Sequence, residues 1–68
     1  SSAASDVYKR QEKDIAKLER ERDSLQQKFA TENWDNEQIN KQSKILQNII
    51  ESLSEKEMRW FELSEKME

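Results

Sequence analysis

Apolar residues recur along this chain at heptad spacing, in two phases that do not join. In the first half, a positions 8, 15, 22 and 29 and d positions 11, 18, 25 and 32 read Tyr8, Gln11, Ile15, Leu18, Arg22, Leu25, Phe29 and Glu32. In the second half, a falls at 39, 46, 53, 60 and 67 and d at 42, 49, 56 and 63. These read Ile39, Gln42, Leu46, Ile49, Leu53, Lys56, Trp60, Leu63 and Met67, of which seven of nine are apolar. That repeat marks a helix with one buried stripe. Continuing the first phase would put an a position at 36 rather than 39. A stammer within one long helix produces such a three-residue jump, and so does a break between two helices.

The residues at the jump favour the break. Asn33-Trp34-Asp35-Asn36 is the one stretch rich in cap and turn formers. Asn tolerates the left-handed backbone that usually falls to Gly. Asp35 fits an N-cap, its carboxylate accepting free N–H groups of the following turn. Gln38 stands three residues on, as in a capping box, and Trp34 is placed to pack on Ile39 as a hydrophobic staple. The pattern therefore predicts a disordered tail over 1–5, a helix over about 6–32, a loop at 33–35 and a second helix over about 36–67. At 1.5 Å per residue the helices measure roughly 40 and 48 Å.

A short connection between two amphipathic helices favours an all-α, two-helix antiparallel coiled-coil hairpin over the remainder, 6–68. Pairing positions that sum to 71 sets Leu25 against Leu46, Leu18 against Leu53 and Tyr8 against Leu63. It also sets Arg22 on Ile49, Lys56 on Ile15 and Gln11 on Trp60, so each polar intruder can lay its stem along an apolar partner. Asp14 then lies near Arg59, and Glu12 near Glu57. A register one heptad away, summing to 64, pairs nearly as many apolar residues but leaves Phe29 outside the core. A parallel dimer of long helices is the alternative architecture, and a monomeric hairpin is the expectation.

Composition sharpens this reading mainly by exclusion. The chain has 68 residues, no Gly, Pro, Cys or His, and 40% charged residues. Without Cys and His there are no disulfides or thiol nucleophiles and little scope for zinc or haem. Without Gly there is no phosphate-cradling loop and little scope for tight hairpin turns. Val, Ile, Leu and Phe make 13 of 68 residues, near the edge of disorder, yet net charge is only −3. Ala, Glu, Lys, Leu and Arg make 32 of 68, close to the ~50% of coiled coils. No apolar run approaches the roughly 20 residues that span a bilayer, and no signal peptide is visible. The expectation is a cytoplasmic piece of a longer protein with no membrane contact.

Candidate chemistry follows the charge. Fifteen carboxylates on solvated helix faces have no pocket to shift them, so the chain is read as non-catalytic and without a metal site. Arg10, Lys13, Lys17 and Arg20 occupy c and f positions of the first helix, spaced 3, 4 and 3, and so share its outer face. Lys41 and Lys44 hold the same positions near the tip, with Lys28 close by. Lys and Arg at helical spacing can follow a nucleic-acid backbone; the plainer reading is a solvated face. Met58 and Phe61 fall at f and b, outside the seam, and read as a candidate protein-docking patch.

The ending Glu55-Lys56-Glu57-Met58-Arg59-Trp60-Phe61-Glu62-Leu63-Ser64-Glu65-Lys66 resembles the close of the C-terminal domain of ABC-F ATPases, the Uup-like group, with its Arg-Trp-x-Glu-Leu pattern. Upstream, Ile15-Ala16-Lys17-Leu18-Glu19 and the pair Ile49-Ile50 agree in kind. The resemblance covers roughly residues 8–67. It implies an antiparallel hairpin that follows two ATP-binding cassettes. It further implies an accessory role in engaging DNA or ribosomal RNA, with ATP and Mg in the parent protein and no cofactor in this piece. The cassettes of the parent chain would be a second partner. A structural or protein-interaction coiled coil without nucleic-acid binding is the competing expectation.

Overall fold

The computed structural model describes residues 2–66 and holds two helices there, α1 (Ser2–Thr31) and α2 (Asn36–Lys66). They fold back on each other as an antiparallel hairpin, a rod 51 Å long and 15 by 14 Å across. Among the described residues there is no strand. Ser1 of the expected tail, the expected core position Met67, and Glu68 lie outside the described residues. α1 begins within the stretch 1–5 expected as a tail. That stretch carries Ala3 and Ala4 and no helix breaker, and adding a turn to an existing helix is far easier than nucleating one.

The turn is built around Asp35 as expected. Its Oδ1 accepts the Gln38 N–H at 2.8 Å, and its carbonyl accepts the Ile39 N–H at 2.9 Å, which starts α2. The connection departs from expectation in two respects. None of the described residues has a positive φ, so no Asn takes the left-handed place of Gly. Instead α1 runs out through a last bond from the Glu32 N–H to the Lys28 carbonyl at 2.8 Å. The Thr31 hydroxyl donates to the Gln27 carbonyl at 3.1 Å, and Lys28 sits in the last turn, where a cation suits the helix dipole. Trp34, expected on Ile39, packs edge-on against Phe29 with ring centres 5.1 Å apart, while Ile39 stays 40% exposed. An indole offered an aromatic edge beside it gains more there than on an exposed isoleucine.

One contact fixes the register. Lys56 Nζ reaches Asp14 Oδ2 at 3.2 Å across the seam. The two positions sum to 70, within one residue of the preferred pairing; in the slipped register they would be about 9 Å apart along the rod. The partner is Lys56 rather than the expected Arg59. Lys56 occupies a seam position opposite Ile15, so its stem crosses the interface and its ammonium emerges beside Asp14.

The core is thin. Among the described residues Leu53 and Leu25 are the buried apolar ones, 4% and 8% exposed, while Leu18 and Leu46, opposite them in this register, are half-buried. Toward the open end Tyr8 stacks on Trp60 with ring centres 5.3 Å apart and planes 23° from parallel. The sequence pairing put Tyr8 on Leu63; the rings are large enough to bridge the ~4.5 Å between neighbouring layers. Arg22, expected to lie along Ile49, pairs its guanidinium with the adjacent Asp23 at 3.0 Å. Gln11 keeps Oε1 buried with no hydrogen-bond partner among the described residues.

Removing buried methylenes at Leu53 (Leu53→Ala) is expected to cost about 2–4 kcal/mol, and loss of the cap in Asp35→Ala about 1 kcal/mol, both read from denaturant melts. Equal, negligible effects would contradict this packing. Reversing one charge in Asp14→Lys should destabilise by about 0.5–1 kcal/mol, since both partners are partly exposed. Adding Lys56→Asp should restore most of that loss; purely additive effects would place the two side chains apart.

Candidate nucleic-acid interface

In this antiparallel arrangement the g positions of both helices flank one long side of the seam and the e positions flank the other. On the g side, near the loop, Lys17, Arg20 and Lys28 of α1 line one hollow with Gln42, Ile45 and Ile49 of α2. The adjoining hollow gathers Lys17 with Asp14, Glu21, Ser52 and Lys56. The structure therefore brings Lys17, Arg20 and Lys28 together along about 16 Å of helix. Arg10, Lys13, Lys41 and Lys44 are exposed like the other three but line neither hollow.

Their electrostatic situation is simple. Among the described residues the ion pairs are Lys56–Asp14 and Arg22–Asp23. None of the seven candidate cations is thus tied to a carboxylate of a described residue. Glu21 lines both hollows and weakens the positive field there, whereas Asp14 is already matched to Lys56.

Met58 and Phe61 are 64% and 61% exposed, as their heptad positions imply. They do not form one patch. Met58 lines a hollow with Gln11, Lys56 and Arg59 on the g side, and Phe61 lines another with Ile15, Ala16 and Trp60 on the e side. Among the described residues no three acidic side chains are grouped closely enough to hold a metal ion. Nor, among the described residues, is any helix long and apolar enough to cross a membrane.

A family model described as ABC transporter C-terminal domain matches residues 5–65, almost the whole hairpin. The chain belongs to that family. It is a C-terminal accessory domain of an ABC transporter-related protein. No curated protein and no solved structure matches the chain.

Within this ABC transporter C-terminal domain, the grouping of Lys28 with Lys17 and Arg20 was visible in sequence only once a register was chosen. Lys28 is a g residue, whereas Lys17 and Arg20 are c and f, and they share a hollow because α2 closes it from the other side. The e-side hollow was not singled out from the sequence. Its signal was the placement of Glu12 near Glu57, which now line one hollow with Trp60 and Phe61. Because the three gathered cations hold no partner that folding needs, Lys17→Ala, Arg20→Ala and Lys28→Ala should each shift stability by less than about 0.5 kcal/mol in chemical melts. A larger loss would mean that they serve the fold.

Proposed function

We propose that this accessory domain is a rigid, non-catalytic arm with which an ABC-F ATPase of the Uup-like group engages nucleic acid, DNA or ribosomal RNA. The observation that carries this reading is the set Lys17, Arg20 and Lys28, exposed along one groove without carboxylate partners among the described residues. Arg10 and Lys13 extend it along α1, and Lys41 and Lys44 extend it onto the loop-proximal part of α2. A duplex strand offers a phosphate every ~3.4 Å of axis, so a 16 Å row of cations has several within reach. On this reading ATP and Mg belong to the cassettes of the parent protein. This chain has no Gly with which to build a phosphate loop.

The rod form suits such a role. Contacts to a backbone need fixed spacing more than they need a pocket, and two paired helices hold their outer side chains at constant pitch. The net charge of −3 limits affinity, and the acids lie mostly elsewhere: Glu51, Glu55, Glu62 and Glu65 are on the outer surface of α2. A second reading, protein docking without nucleic acid, draws support from the exposed Phe61 and Met58.

Titrating the chain against linear and branched DNA and a structured ribosomal RNA, each at two salt concentrations, tests the proposal. Three duplex contacts are expected to give a log–log salt slope of about −2.7, at roughly −0.9 per phosphate. Lys17→Glu with Arg20→Glu should abolish binding while leaving helicity intact. Undetectable binding at low salt, or binding indifferent to this double change, would remove the nucleic-acid role from the isolated arm.

A further inference from the structure

The e side of the hairpin carries a groove of a different character. Four apolar residues line it: Ile15 and Trp60 at the seam, and Ala16 and Phe61 farther out on α1 and α2. Its polar lining is acidic: Glu12 and Glu19 along α1, and Glu57 on α2. All three glutamates lie outside the two ion pairs found among the described residues. Phe61 stands edge-on to Trp60 at 5.2 Å, an interplanar angle of 81°, and leaves 61% of its surface to water.

From this groove we propose that the e side docks a basic amphipathic helical segment of a partner protein, laid along the groove where it can meet Glu12 and Glu19 of α1 and Glu57 of α2. Charge and spacing argue for that occupant. The three carboxylates are too dispersed to close on one metal ion. They can instead meet separate cations at intervals. Glu12 and Glu19 are seven residues apart, about 10.5 Å, which equals the distance between Lys or Arg residues at i and i+7 of a helix lying parallel to α1. Glu57 can then meet a further cation from α2. The apolar face of the incoming helix covers Phe61 and the edge of Trp60, removing a large aromatic surface from water. A third helix seated against two packed helices is also the geometry that completes the burial a thin two-helix seam leaves unfinished. Nucleic acid is repelled by this acidic lining, so the docking side is distinct from the Lys17–Arg20–Lys28 side.

The test uses the full chain carrying Trp34→Phe, so that Trp60 is the sole indole. The probe is a synthetic helical peptide with Lys at i, i+4 and i+7 and Leu or Met on its other face. A second peptide has each Lys replaced by Glu. The Lys peptide is expected to shift Trp60 emission to the blue and saturate, and the Glu peptide is expected to do nothing. Phe61→Ser and, separately, Glu12→Lys with Glu57→Lys should each weaken binding by about tenfold or more, with helicity by circular dichroism unchanged. Both variants should bind DNA at least as well as the parent chain, which separates this docking side from the nucleic-acid role. Lys-peptide binding indifferent to both variants overturns the proposal, as does equal binding of the Glu peptide. A Trp60 shift that grows with chain concentration alone and vanishes in Phe61→Ser would assign the groove to a second copy of this chain and also overturn it. Should a variant lose helicity, the comparison of the two peptides on the parent chain still decides.

Discussion

The leucine seam centred on Leu25 and Leu53 holds the hairpin together because little else in the chain can. Among the described residues only these two side chains are buried; most other seam positions are half-buried, Ile39 is exposed, and several are taken by polar residues such as Gln11, Gln42 and Lys56. A core this small gives limited stabilisation, so most helical residues depend on it indirectly: each helix is long, and pairing along one stripe is what makes its many turns favourable. The ends add modest increments through Tyr8 on Trp60 and Trp34 on Phe29. The thinness also leaves side chains free for other work. With one stripe per helix committed to the seam, the outer faces and both long flanks remain open.

Those flanks are where the charge acquires meaning. An antiparallel pair sets g beside g and e beside e, and in this chain the two sides differ. One gathers Lys17, Arg20 and Lys28; the other gathers Glu12, Glu19 and Glu57 around Phe61 and Trp60. The division needs no pocket and no special backbone. It follows from the heptad positions, while the Asp14–Lys56 register sets which residues meet across it: sliding α2 by one heptad would leave Glu57 and Phe61 beside a different set of α1 residues. Heptad position and register, rather than composition, therefore decide which charges become neighbours. That is the link between the seam and any function of this ABC transporter C-terminal domain.

Much of the fold was legible in the sequence. The two heptad phases located both helices, and Asp35 with Gln38 located the start of the second to the residue. These signals are local or strictly periodic, so they survive without knowledge of the tertiary structure. The details that escaped depend on contacts between distant residues. Trp34 chose Phe29 over Ile39, Lys56 rather than Arg59 reached Asp14, and Tyr8 crossed one layer to stack on Trp60. Side-chain length decided each of these, and heptad arithmetic treats side chains as points. The left-handed Asn was unnecessary because the four residues between the helices, 32–35, span the turn with ordinary dihedrals. Of the candidate residues, exposure was readable from position, while the gathering of Lys28 with Lys17 and Arg20, and the separation of Met58 from Phe61, needed the second helix in place.

The two helices pair antiparallel in the Asp14–Lys56 register, and one distance tests this directly. The chain has no native Cys, so Lys13→Cys with Lys44→Cys admits two spin labels at exposed sites, and their separation can be read by pulsed dipolar spectroscopy. In this register the two sites are about 14 residues apart along the rod, which with its width gives a distance of about 25 Å. A distance near 18 Å would indicate the slipped register, and one near 46 Å a continuous helix; either would contradict the account.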